Sequence, residues 1–184
     1  MEVGFAKAED IDGIISVQKR RLLREKKNVG IVKEGFLVYP VSSKELKELL
    51  PRENAIILVA KERERVLGYI LSYDLNFWRE LKPGWYEKLN ASEHVKQVLL
   101  RKKVLYLRHI ARLKGCKGVG TRLLSELMKI AKRRKYEYVI CEILESPVKN
   151  KTSVNFFEKF GFVPAGSVTY SDGFKWRIFI KKLL

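Results

Sequence analysis

The stretch that most restricts the fold runs from Lys114 to Lys135, KGCKGVGTRLLSELMKIAKRRK, where a basic loop punctuated by Gly115, Gly118 and Gly120 leads straight into an amphipathic segment. Val119, Leu123, Leu124, Leu127, Met128 and Ala131 recur at helical spacing on one face, with Thr121, Arg122, Ser125, Glu126, Lys129 and Lys132 opposite. That spacing predicts a helix. Val104 to Leu113, VLYLRHIARL, is dense in β-branched, aromatic and long apolar side chains and reads as a strand. In a strand, glycine turn and helix taken in that order, glycines let successive backbone N–H groups converge, and the first helical turn adds unpaired donors and the positive end of its dipole. Such a frame suits a phosphate, although the same turn can also serve only to join a strand to a helix. The surrounding charge favours the ligand: from Arg101 to Lys135 thirteen Lys or Arg stand against one acidic residue, Glu126, so this stretch holds +12 of the chain's net +17. A field so concentrated fits a polyanion.

No G-x-x-x-x-G-K-[ST] occurs, so a Walker A loop is excluded. A second ordered motif follows in Asn150, Ser153, Phe157, Glu158, Lys159, Gly161 and Phe162, spaced as N-x-x-[SA]-x-x-x-[YF]-E-K-x-G-F. With Gly118-Val119-Gly120, which match the glycine half of R/Q-x-x-G-x-G/A, these residues resemble the GNAT superfamily of acyl-CoA-dependent N-acyltransferases. The R/Q position falls on Gly115, leaving Lys114 or Arg112 as substitutes.

The resemblance implies an α/β GNAT-type fold over a single domain, 1–184: a mixed, mostly antiparallel sheet flanked by helices and splayed between its fourth and fifth strands to take acyl-CoA. It implies transfer of acetyl from acetyl-CoA to a primary amine by direct attack, the acceptor being unspecified. Carried over by position, the backbone of Ile110, Ala111 and Arg112 would meet the pantetheine arm. Cys116, Lys117, Gly118, Val119, Gly120 and Thr121 would take the pyrophosphate. Asn150, Ser153 and Phe157 match positions that contact CoA, while Asn150 and Ser153 also suit a helix cap. Acceptor specificity would lie in Asn28 to Ser43 and Phe77 to Lys103.

An amine attacking a thioester needs a base, a donor for the oxyanion and a proton for the departing thiolate. The family's thiolate acid is commonly a Tyr where this chain has Phe157, which has no proton to give, so Tyr106 is the candidate. Bases in relatives stand early in the fourth strand, on the face that Val104, Tyr106 and Arg108 share here. His109 alternates to the opposite face. Its ordinary titration range suits a base, but a lone histidine in an apolar strand also reads as a core residue with its hydrogen bonds satisfied. Glu142, in the next apolar strand, is the second base candidate. The competing reading is a non-catalytic CoA-sensing or nucleic-acid-associated basic module, for which Phe157, Gly115 and the excess charge argue.

A chain of 184 residues suffices for one core that buries about 70% of the unfolded surface. Cys116 and Cys141 make neither a disulfide framework nor a metal spacing. The opening MEVGFAKAED lacks an apolar leader segment, and the longest apolar run, Ala55 to Ala60, is six residues, so a cytoplasmic protein with no membrane partner is expected. Monomer and homodimer both stay open. Two Gln and two Cys among 38 Lys and Arg suggest a thermophilic surface, the alternative to a nucleic-acid partner for the charge. Along the chain, Glu2 to Ala8 reads as a strand and Ala8 to Asp10 as the start of a helix carrying Ile11, Ile14, Ile15 and Val17. The basic run Lys19 to Lys27 follows, and Ser43 caps a short helix before Pro51. Ala55 to Lys61 and Val66 to Leu75 form a hairpin across Glu62 to Arg65. Phe77 to Lys103 is a long connection with a helix around Ser92 to Leu100, its Phe77, Trp78, Trp85 and Tyr86 either lining an acceptor pocket or anchoring the loop. Tyr136 to Leu144 makes a strand and Asn150 to Phe160 a helix closed by Gly161. Phe162 to Tyr170 and Phe174 to Lys181 make a final hairpin, half-buried through Phe174, Trp176, Ile178 and Ile180.

Overall fold

A computed structural model describes residues 1–23 and 34–184. Gly30, the end of the basic run Lys19 to Lys27 and the start of the Asn28 to Ser43 region lie outside the described residues. Eight strands form a mixed, mostly antiparallel sheet in the order β1-β2-β3-β5-β6-β8-β7-β4, with six helices among the described residues. The chain divides into two compact units, one of Met1–Arg24, Phe36–Tyr73 and Leu107–Arg133, the other of Glu25–Gly35, Asp74–Tyr106 and Arg134–Leu184. No helix among the described residues is long and apolar enough to cross a membrane.

The first unit holds β1 (Glu2–Phe5), α1 (Ile11–Lys19) entered through a 3-10 turn at Ala8–Asp10, α2 (Ser43–Leu49), β2 (Ala55–Glu62), β3 (Arg65–Asp74), most of β5 (Val104–Arg112) and α5 (Val119–Arg133). β1 stops at Phe5, short of the expected Ala8, because the chain turns there: Asp10 N donates to Lys7 O at 3.0 Å and the Asp10 carboxylate accepts from Lys7 N at 2.9 Å, which closes the 3-10 turn. α2 is capped one residue earlier than expected, by Ser42, whose hydroxyl accepts from Glu45 N at 3.1 Å while Glu45 accepts from Ser42 N at 2.8 Å. Residues 55–60 of β2 are all buried, and the hairpin turns where Arg63 takes a positive φ of 53°. α5 lies on β2 and β1 and buries Val119, Leu123, Leu124, Leu127, Ile130 and Ala131. Ile130 thus takes the core place expected of Met128. Ile11, Ile14 and Val17 of α1 are buried as the spacing predicts, and Gln18 joins them by bonding both the N–H and the carbonyl of Val41, each at 2.9 Å.

The second unit holds α3 (Leu75–Leu81), β4 (Asn90–Ala91), α4 (Glu93–Arg101), the first residues of β5, β6 (Tyr138–Ser146), α6 (Lys151–Lys159), β7 (Val163–Thr169) and β8 (Lys175–Lys182). The expected long connection is therefore folded. Asp74 accepts from Asn76 N at 2.9 Å and starts α3 where the sequence reads as strand up to Leu75. β4 adds to the edge of β7 with Asn90 opposite Ser167. β8 is half-buried as expected, with Phe174 and Ile178 enclosed and Lys175 exposed, except that Phe179, on the face opposite Ile178, is enclosed as well.

Candidate active site

In the first unit the sequence builds the strand, turn and helix around two left-handed glycines. Gly115 and Gly118 have φ of 81° and 79°, a region that costs any residue with a Cβ roughly 1–2 kcal/mol. Within the turn Cys116 N donates to Leu113 O at 3.4 Å and Lys117 N to Gly115 O at 2.9 Å. The first helical bond of α5 is Arg122 N to Gly118 O at 3.0 Å, so Val119, Gly120 and Thr121 hold the N–H groups that a helix leaves without an internal partner. A Cβ built on Gly115 or Gly118 would meet nothing within 4 Å. The turn is open where it would receive a ligand, and its donor chemistry fits a pyrophosphate.

A different glycine brings the helix close to the strands. A Cβ on Gly68 of β3 would sit 2.6 Å from Val119 Cγ1 and 2.7 Å from Ala111 O. Only hydrogen fits there, and the backbone of β5 and the first residue of α5 occupy the space. Ala111 is buried, while Ile110 and Arg112 are partly exposed. Leu113 N donates to Leu67 O at 2.8 Å and so fixes the end of the strand.

His109 also lies in this unit, 4% exposed, with Nδ1 3.0 Å from Tyr69 Oη. Burial, joined by the Arg108 guanidinium, pushes its pKa down to about 3, so the imidazole is neutral at physiological pH. The Tyr39 backbone also bonds it. Arg108 in turn donates to Tyr73 Oη at 2.8 Å.

The second unit gathers a carboxyl among aromatic rings. Glu142 of β6 accepts from Trp85 Nε1 at 2.5 Å through Oε1 and from Tyr170 Oη at 2.8 Å through Oε2. Tyr106 hydrogen-bonds the same carboxyl, and Tyr106 is stacked on Trp78 with centroids 4.4 Å apart and rings 11° from parallel. Burial pushes the Glu142 pKa up to about 7, against the opposing pull of Tyr170, Trp85, the Lys82 charge and Tyr106. Tyr106 and Glu142, both singled out in the sequence, are thus brought together. Their partners were not read as such: Trp85 reads only as lining a pocket or anchoring its loop and Tyr170 only as the end of a strand, because they stand 57 and 28 residues from Glu142 and no local pattern marks such contacts. Phe77, Trp78 and Trp85 are buried, so these aromatics anchor their segment, and Trp85 also holds the carboxyl.

Asn150 caps α6, accepting from Ser153 N at 3.2 Å, and is itself 6% exposed. Phe157 is buried edge-on against Phe156 and Phe162, at centroid distances of 5.3 and 5.1 Å. Cys141, beside Glu142, is buried, and desolvation holds its thiol well above the usual range.

One unit thus carries an open glycine turn at a helix start, and the other a half-buried carboxyl whose pKa lies near neutrality. The chain belongs to the acetyltransferase (GNAT) family, whose model matches residues 29–162. Solved structures agree in fold. An N-acetyltransferase from Staphylococcus aureus Mu50 is 20% identical with a TM-score of 0.65, covering 100% of this chain and 98% of that one. A ribosomal-protein-alanine N-acetyltransferase from Brucella melitensis is 18% identical at 0.64, over 100% of both chains. An aminoglycoside 6'-N-acetyltransferase complexed with coenzyme A is 12% identical at 0.65, over 100% of this chain and 98% of that one. No curated protein matches the sequence.

Proposed function

We propose that this protein is an N-acetyltransferase that moves acetyl from acetyl-CoA to a primary amine by direct attack, with Glu142 as the general base. Acetyl-CoA would supply the activated thioester. Val119 to Thr121 hold its pyrophosphate through backbone N–H groups, with Cys116 to Gly118 shaping the turn that presents them, and Ile110 to Arg112 flank the pantetheine arm. Asn150 and Ser153 add contacts at the start of α6 while capping it, and Phe157 adds an apolar one.

The observation that carries the catalytic reading is the Glu142 carboxyl, bonded at both oxygens by Trp85 and Tyr170 and held near neutrality by burial. A base works best when its pKa lies near the working pH. Glu142 receives the proton lost by the amine, and Tyr106, bonded to the same carboxyl, delivers one to the departing sulfur and regains it from Glu142. Phe157 then needs no hydroxyl. His109 is neutral but already bonded to Tyr69 and the Tyr39 backbone, and stays in the core. A cytoplasmic setting and a thermophilic surface fit the composition.

The test is thiol release from acetyl-CoA across a panel of primary amines, peptide N-termini, lysine peptides, polyamines and amino-sugars. The reading expects at least one amine to accelerate release in the parent and not in Glu142→Gln. Release that no amine accelerates, joined to salt-sensitive binding of RNA or DNA, would favour the basic-module reading instead.

A further inference from the structure

The terminal hairpin reaches the carboxyl of the second unit through one side chain. Tyr170 follows β7, and the turn to β8 fixes its backbone: Tyr170 N donates to Phe174 O at 3.1 Å, and Tyr170 O accepts from Gly173 N at 2.9 Å. Gly173 takes a φ of 81°, and Phe174 N donates to the Asp172 carboxylate at 3.0 Å, so the turn closes on its own bonds. The Tyr170 ring stands edge-on to Trp176 of β8, with centroids 6.5 Å apart and planes 75° from parallel. Turn and ring contact thus set the direction of the phenol independently of Glu142. From that place Tyr170 Oη donates to Glu142 Oε2 at 2.8 Å, while Trp85 Nε1 donates to Oε1.

The geometry points to Tyr170 as a positioning residue for the proposed base, one that fixes Glu142 Oε2 as Trp85 fixes Oε1 and so holds the carboxyl in a single orientation. A carboxyl turns easily about the bond that carries it, because terminal sp³–sp² torsions are broad. One donor leaves much of that rotation available, whereas two donors on different oxygens, carried by different elements, remove it. Among the described residues the titratable groups that act on this carboxyl are Tyr170, Tyr106 and the Lys82 ammonium, with Cys141 beside it on β6. Burial raises its pKa, and the Tyr170 bond is the strongest of the opposing pulls, ahead of Trp85. The phenol therefore favours the ionised carboxyl, the form that takes a proton. The inference rests on the proposed role of Glu142 and adds to it a residue that neither sequence motif contains.

The experiment follows the Glu142 carboxyl directly, by carboxyl-carbon NMR titration of the full chain with the resonance assigned by its absence from Glu142→Gln. It pairs this with pH–rate profiles on acetyl-CoA and an amine that the parent accepts. Parent, Tyr170→Phe and Tyr170→Leu are compared, and the melting temperature of each is recorded at pH 5, where the carboxyl is protonated. Tyr170→Phe keeps the ring against Trp176 and loses only the hydroxyl. It should raise the midpoint by about one pH unit in both the NMR titration and kcat/KM, as losing a hydrogen bond to a charged group does. It should also lower the plateau kcat by about tenfold, as a misdirected group does, and leave KM for acetyl-CoA and the melting temperature near parental values. Tyr170→Leu, which lacks the ring as well, should show the same midpoint. A parental NMR midpoint in Tyr170→Phe would overturn the proposal, as would a plateau kcat that is unchanged or raised, which would leave the hydroxyl tuning the carboxyl without positioning it. A shifted NMR midpoint beside a parental kcat/KM midpoint, or a parent that acetylates no amine, would instead remove the base role of Glu142, and the proposal with it.

Discussion

Glu142 shows how one environment can set both a chemistry and a cost. Its ordinary pKa of 4.5 is raised to about 7 chiefly by burial. As the proposed base it must be ionised, so kcat/KM should rise with pH and level off above a midpoint near 7, a limb that a pH–rate profile measures directly. Glu142→Gln should lower the plateau by about 10²–10⁴-fold, the usual worth of general base catalysis, and abolish that limb. Trp85→Phe keeps an aromatic ring but removes a hydrogen bond that favours the ionised carboxyl, so the midpoint should move to higher pH. A midpoint that stays put would mean the Trp85 contact does not tune the base. The same shift acts on folding. A carboxyl whose folded pKa is raised contributes stability that is fully present below its unfolded value and is lost as pH rises through the folded one, here between about 4.5 and 7. Glu142→Gln should therefore melt higher than the parent at pH 8, with the difference shrinking toward pH 5. His109 has the opposite sign: its depressed pKa contributes stability above about 6.5 that is lost as pH falls toward 3. Comparing variant with parent at each pH separates the two.

The strand–turn–helix of β5 and α5 was legible because its signals are local: an apolar strand, glycines where φ turns positive, and a 3.6-residue apolar period. Ser42 and Asn150 caps, the β2–β3 hairpin and the terminal hairpin were readable, within a residue or so, for the same reason. What was not legible is equally physical. α3 begins at Leu75, inside a run, VLGYILSYDL, whose apolar content reads as continuous strand, and only the Asp74 cap marks the change. β4 has two residues and gains its identity from Ser167 and Gly166 across the ladder. The bonds from Trp85 and Tyr170 to Glu142 join positions tens of residues apart and leave no pattern in the chain. Gly68 belongs here too, since a glycine within an apolar strand does not announce what approaches it. Gly68→Ala would place a methyl 2.7 Å from the Ala111 carbonyl, which is backbone and cannot swing aside. We expect a loss of about 1–3 kcal/mol, read by denaturant unfolding, as overpacking costs elsewhere. Stability unchanged by that substitution would show that α5 and β5 can separate without penalty.

A net charge of +17 on 184 residues makes self-repulsion a property of the whole chain. Salt should raise the melting temperature of the unliganded protein by screening that repulsion and lower its affinity for CoA by screening the attraction, two opposite slopes in one titration series. Parallel slopes would disconnect the charge from ligand binding. Within each unit the sequence places its chemistry on fixed elements: glycine turn and helix start in one, carboxyl and aromatic rings in the other. Family membership rests on the match over residues 29–162, and the positive φ of Gly115 and Gly118 fits the turn in which the proposed cradle lies. The most direct test of the account is calorimetric titration with acetyl-CoA of the parent and of the double variant Gly118→Asp/Gly120→Asp, which adds negative charge and forces a side chain onto the positive φ of Gly118. Saturable binding by the parent that the double variant loses while keeping its melting transition is the predicted result. Equal binding by both proteins, or none by the parent across physiological salt, would contradict it and leave the glycine turn as a connection between strand and helix.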